Sequence, residues 1–150
     1  MGFQYKLEAL RQYRQFQENR LQKDLSDAVR SLEALRSILA HQVARRRRCQ
    51  EEFERHLENG AAASQTAMYP GYLKRLGDEI AVRSAEVSAE EKTCDQIRVA
   101  LVEAMKKRRM LDRLKKKGEQ AFMAELDTLE QKFIGEMAIN RFIHKPALKE

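Results

Sequence analysis

The chain predicts an all-α fold: two long helices forming an antiparallel coiled-coil hairpin, with the C-terminal helix overhanging. Three observations predict it. The 150 residues are 35% charged and only 7% aromatic, with no Trp and two Pro, a composition suited to long helices that bury a narrow seam rather than a thick core. Leu21, Leu25, Ala28, Leu32, Leu35 and Leu39 alternate four and three residues apart, which puts them on one stripe of a helix wound at about 3.5 residues per turn. A break near Asn59-Gly60 and Tyr69-Pro70-Gly71 separates two such stretches. Charges of both signs are interspersed and Leu recurs regularly, which argues against disorder.

The length fits one coiled-coil domain over 1–150. Helix 1 is expected over about 3–58, a turn over 59–70, helix 2 over about 70–142 and a short tail over 143–150, the helix stopping before Pro146. Helix 1 carries no Pro. Upstream of its clean stretch, Phe3, Leu7 and Leu10 start a similar seam, while Tyr13 and Phe16 fall off register and suggest a stutter. Downstream the seam thins to Val43, Cys49 or Gln50, Phe53 and Leu57. Asn59-Gly60 reads as a helix C-terminus, and Pro70 suits the first turn of the next helix.

The helix 2 seam runs through Leu73, Leu76, Ile80, Val87, Cys94, Ile97, Leu101, Ala104 and Leu111, then Phe122, Leu126, Leu129 and Phe133. Arg83, Glu90, Arg108 and Lys115 fall in seam register, so the coiled coil is imperfect. Gly77, Gly118 and Gly135 lie inside this helix, each at a cost of about 1 kcal/mol relative to Ala. At a seam, a glycine permits either a close backbone approach or a bend. Setting Leu57 beside Leu73 at the turn puts Leu35 near Cys94, Ala28 near Leu101 and Leu10 near Gln120. Helix 1 then ends opposite about Asp127. The remaining overhang carries Leu129, Phe133, Ile134, Met137, Ile139, Phe142 and Ile143, either a contact surface for another protein or a tail that folds back or frays.

No catalytic, cofactor or metal constellation is present. His41, His56 and His144 are isolated, and neither a GxGxxG nor a GxxxxGK[ST] run occurs. Ser and Thr are few and lack a Gly-rich elbow. A two-helix rod also has no concave pocket in which to shift a pKa, so the chain reads as non-enzymatic. Cys49 and Cys94 show no CxxC spacing and read as buried thiols of a reducing compartment. The first residues turn polar too soon for a secretory signal, and no apolar run is long enough to span a membrane. These features point to a soluble, cytosolic chain.

The net charge of +6 implies an acidic partner. Arg45 to Arg48 are followed about one turn on by Glu51, Glu52 and Glu54, which are expected to balance them. Lys106, Lys107, Arg108, Arg109, Arg113, Lys115, Lys116 and Lys117 meet only Asp112 on their own segment, and Arg11, Arg14, Arg20 and Lys23 are expected opposite. Together they would form a basic collar. Nucleic acid is the rival ligand, but there is no helix-turn-helix, no zinc spacing, no basic region leading into a parallel zipper and no aromatic interleaving. The collar is therefore read as a protein contact.

Phe3-Gln4-Tyr5-Lys6-Leu7-Glu8-Ala9-Leu10 with Tyr13-Arg14 resembles the opening of the flagellar FliJ family. So does Tyr69-Pro70-Gly71-Tyr72-Leu73, with Leu76 after it. Glu103-Ala104-Met105-Lys106-Lys107-Arg108 leading to Leu111 and Leu114 is similar to a later family element, as is Glu130-Gln131-Lys132 leading to Glu136-Met137-Ala138. The resemblance implies a stalk-like component of flagellar type III protein export, similar in form to the central γ subunit of rotary ATPases. It implies as partners the hexameric flagellar export ATPase, the cytoplasmic domain of the export gate subunit and export chaperones, with no nucleic acid and no membrane insertion. The expected location is cytoplasmic, peripheral at the cytoplasmic face of the inner membrane through the export apparatus. Phe3, Leu7, Leu10, Phe133, Met137 and Phe142 would contact the ATPase, and Tyr72, Leu73 and Leu76 the gate. A virulence type III secretion stalk and a generic coiled-coil adaptor or dimer share the same layout.

Overall fold

The computed structural model describes residues 2–144, so residues 145–150 of the expected tail, with Pro146, lie outside the described residues. Two long helices and one short one account for nearly all of it: α1 (Glu8–Glu58), α2 (Ala63–Thr66) and α3 (Met68–Ile143). No strand occurs among the described residues. Each end of α1 has a local cause. Glu8 sits in its first turn and Arg55 and His56 in its last, each sign complementing the helix dipole. The chain leaves the helix at Gly60, whose φ of 73° is the left-handed conformation that glycine adopts freely. The Gly60 amide donates to the Leu57 carbonyl at 3.2 Å and the Ala61 amide to that of His56 at 3.0 Å, the paired bonds of a Schellman cap.

Chain contacts divide the protein into two compact units, Glu18–Glu103 and residues 1–17 with 104–150. The first holds the turn. Here α1 and α3 run antiparallel around a cluster of Ala28, Leu32, Val87 and Cys94, with Val29, Leu35, Leu39 and Ile97 packed against it. Cys94 is fully buried, and both cysteines are free thiols. Near the turn the rings of Phe53 and Tyr69 stack at 5.1 Å, and the Arg46 Nε–H donates to the Leu73 carbonyl at 3.4 Å. Farther along, Arg36 bridges to Glu91 at 2.8 Å.

These contacts correct the expected pairing. Phe53, rather than Leu57, lies beside the start of α3, and Leu57 is 52% exposed. The cause is local: α2 fills the turn, and α3 begins at Met68, early enough to bring Tyr69 onto Phe53. The last turn of α1 therefore overshoots the seam. At the other end Phe3 meets Phe122, with ring centroids 5.8 Å apart, instead of falling opposite Asp127. The overhang is correspondingly longer.

The expected stutter is also absent. Burial along α1 follows one unbroken three-four alternation through Arg11, Arg14, Glu18, Leu21, Leu25, Ala28, Leu32, Leu35, Leu39, Gln42, Arg46, Cys49 and Phe53. Glu18 is only 4% exposed, whereas Tyr13 and Phe16 face outward. Gln42 and Arg46 occupy seam positions where Val43 was expected, and Cys49 does so rather than Gln50. On α3 the seam follows the expected positions from Leu73 to Phe122, with Arg83, Glu90, Arg108 and Lys115 half-buried within it.

The second unit, described over 2–17 and 104–144, is held differently. Tyr5 Oη donates to the Leu111 carbonyl at 3.0 Å. The Phe3 ring lies against Gly118, where a Cβ would come within 2.9 Å of its Cζ, so this glycine serves close approach. A chain of opposite charges links the two segments: Glu8 to Arg11 at 2.7 Å, Arg11 to Asp112 at 3.4 Å, Arg108 to Asp112 at 2.6 Å and Lys115 to Glu8 at 3.2 Å.

Candidate interaction surfaces

Among the described residues no group of His, Cys, Asp and Glu is arranged to hold a metal ion, and no helix is long and apolar enough to cross a membrane. The surfaces that stand out are contact surfaces. Three are built by the helices.

The first is the end of α3. From Met123 onward the helix continues to Ile143 with large apolar side chains on its surface. Leu129, Phe133, Ile134, Met137, Ile139 and Ile143 are all exposed, and Phe142 is 82% exposed. The segment is helical throughout, and its apolar side chains stay in solvent rather than folding back. Met123 and Leu126 belong to the same surface, because the segment before α1 stops pairing with α3 near Phe122. Of the six residues expected at an ATPase contact, Phe133, Met137 and Phe142 lie here. Leu7 and Leu10 are exposed on the N-terminal segment. Phe3 instead packs inward on Gly118 and Phe122.

The second surface is the outer face of α3 between Lys106 and Gln120. A shallow groove of about 700 Å³ has Met110 and Leu114 as its apolar floor and Lys106, Arg109, Arg113, Lys116 and Lys117 along its rim. The expected collar is resolved into two parts. Arg108 and Lys115 point into the seam and are tied to Asp112 and Glu8. Lys107, Arg109, Arg113, Lys116 and Lys117 enter no ion pair among the described residues, and the last four face outward from one side of α3. Within the seam, hydrogen bonding from Arg11 holds the Glu8 carboxyl down at about 2, helped by Lys115 and opposed by partial burial. Arg11 is in turn held more firmly protonated, chiefly by Glu8 and also by Asp112. The sequence signal missed here was the four-residue step from Met110 to Leu114, which lies off the seam and so marked an outward apolar spot.

The third surface lies by the turn. Arg45, Arg48, Cys49, Glu52, Met68, Tyr69 and Tyr72 line a groove of about 330 Å³. Arg45 lies over the Tyr72 ring at 5.8 Å, and Tyr69 sits between Phe53 and His56. Burial, reinforced by Glu52 and Cys49, pushes the Tyr69 hydroxyl up. No ion pair joins Arg45, Arg47 or Arg48 to Glu51, Glu52 or Glu54 among the described residues, so the expected balance along this helix is not made by direct contact. Of the three residues expected at a gate contact, Tyr72 faces solvent, Leu73 is half-buried and Leu76, at 3% exposed, holds the seam.

The model of the flagellar FliJ protein family matches residues 3–147. The chain belongs to that family. No curated protein and no solved structure matches it. FliJ membership makes the chain a component of flagellar type III protein export, associated with the export apparatus. The four segments that carry the FliJ resemblance fall on the features just described. Phe3 to Leu10 supply the N-terminal docking, Tyr69 to Leu76 the turn-side face, Glu103 to Leu114 much of the cationic face, and Glu130 to Ala138 the exposed end of α3.

Proposed function

We propose that this chain is a coiled-coil stalk that binds the hexameric flagellar export ATPase through the end of α3 and the cytoplasmic domain of the export gate through its turn-side face, and that it also escorts export chaperones. One observation carries the reading: α3 continues beyond Phe122 as a helix with a wide apolar surface and no α1 beside it. Exposed apolar area of this extent on one element is the mark of a partner surface. Phe133, Met137 and Phe142 would enter the ring, with Leu7 and Leu10 completing the contact and Phe3 bracing it from within. The outward cations Arg109, Arg113, Lys116 and Lys117 suit an acidic ring lining, since complementary charge speeds encounter and fixes orientation.

At the gate, Tyr72 would make the contact with Leu73 at its border, while Leu76 supports them from the seam. These contacts would hold the chain at the cytoplasmic face of the inner membrane without insertion. ATP hydrolysis would belong to the partner, and the stalk would contribute shape and charge. Deleting residues 130–150 tests the central contact. Co-purification with the ATPase should be lost while circular dichroism still reports a helical hairpin; undiminished co-purification would overturn the reading.

A further inference from the structure

We propose that the exposed stripe at the end of α3 pairs with the same stripe of a second copy of this chain, antiparallel and about a two-fold axis. At about 100° per residue, Leu126, Leu129, Phe133 and Met137 fall on one side of α3. All four are solvent-exposed. The stripe follows directly on the seam that α3 makes with the N-terminal segment as far as Phe122, so a second helix laid along it extends an interface that the fold already uses.

The flanking charges choose the orientation. By the same helical spacing, Lys132 and Glu136 line one edge of the stripe, and Glu130 and Arg141 line the other. None of these four enters an ion pair among the described residues. In an antiparallel pair each edge meets the same edge of the other copy. Setting Phe133 against Met137 of the other copy then brings Lys132 to the Glu136 there, and Arg141 to within a turn of the Glu130 there. Two-fold symmetry makes each contact twice. The cationic face at 106–117 offers no such self-complementarity, because two copies would oppose like charges there. In this register Phe133 and Met137 face the stripe of the other copy while Leu129 lies against Asn140 there, so the buried area falls below the roughly 1,200 Å² at which stable specific interfaces begin, as suits a weak, reversible dimer.

The pairing rests on the proposed ATPase contact only in its consequence. One stripe serves both, so a free chain stores its apolar end against a second copy and exposes it when the ring takes over. Sedimentation velocity of the full chain alone, from micromolar to submillimolar concentration, tests the pairing without any ATPase. The expected result is a reversible dimer with a dissociation constant in the micromolar range. Phe133→Glu should weaken it by about tenfold or more with helicity unchanged, since that side chain stands in solvent in the single chain. Lys132→Glu should also weaken it, and adding Glu136→Lys should restore it. A monomer at every concentration overturns the proposal, as does a dimer indifferent to Phe133→Glu or a double charge reversal that fails to restore association. Those results leave the ATPase contact standing, because the truncation experiment decides it separately.

Discussion

The two units use one heptad geometry and hold it by different forces. In Glu18–Glu103 the seam is mostly aliphatic, with Ala28, Leu32, Val87 and Cys94 packed together and the ion pair between Arg36 and Glu91 on the surface. In the unit of residues 1–17 and 104–150, seam positions are filled by Arg11, Arg14, Arg108 and Lys115, and Glu8 and Asp112 tie three of them together. Apolar burial there is supplied by Phe3, Leu111 and Phe122. Apolar burial is insensitive to pH and little screened by salt, whereas half-exposed charge pairs respond to both. The comparison teaches that heptad spacing specifies where helices touch, and residue type specifies under what conditions they stay together.

The largest effect that sharpens the contrast is expected from Leu32→Ala. Leu32 is buried in the cluster, and truncating a buried Leu costs about 2–5 kcal/mol, which urea unfolding followed by circular dichroism will read as a lower midpoint. A mutant as stable as the parent would break the picture of an aliphatic-seamed unit. Next in size is the response to acid. The Glu8 carboxyl lies at about 2 against an ordinary 4.5, so its stabilisation is present above about pH 4.5 and is lost as pH falls toward 2. The protection factors of amides from Tyr5 to Arg11, with intrinsic exchange divided out, should therefore fall across that window in the parent, and Glu8→Gln should show the low protection at neutral pH already and no further fall with acid. Protection that ignores both pH and the substitution would show that the charges do not hold this segment.

The smallest effect is expected from Arg36→Ala. The Arg36–Glu91 pair is about half-exposed on both sides, and exposed pairs contribute roughly 0–1 kcal/mol. A change well beyond that in the unfolding midpoint would place electrostatics in the unit assigned to apolar packing.

Much of the fold was legible because helical periodicity survives in linear spacing. The run from Leu21 to Leu39, the α3 seam from Leu73 to Leu111 and the Gly60 cap could all be read in advance. The N-terminal seam could not. Leu7, Leu10, Tyr13 and Phe16 look like a drifting seam by hydropathy, yet the contact line runs through Arg11, Arg14 and Glu18. Long polar side chains can occupy seam positions when opposite charges or aliphatic stems meet them, and hydropathy alone scores such positions as breaks. Of the candidate surfaces, the exposed end of α3 was legible as unpaired apolar residues, but its starting point near Phe122 depended on the pairing register.

By itself the sequence determined two long helices, the place where the chain reverses and the stripe each helix buries, since these follow from residue spacing and local backbone preference. Only the tertiary structure decided how far one helix slides along the other, because a heptad pattern repeats every seven residues and fits several offsets nearly equally well. That choice was made by contacts distant in sequence, the Tyr69 ring on Phe53 at one end and the Phe3 ring in the space left by Gly118 at the other. It also divided the basic segment, turning Arg108 and Lys115 into the seam and leaving Arg109, Arg113, Lys116 and Lys117 facing outward.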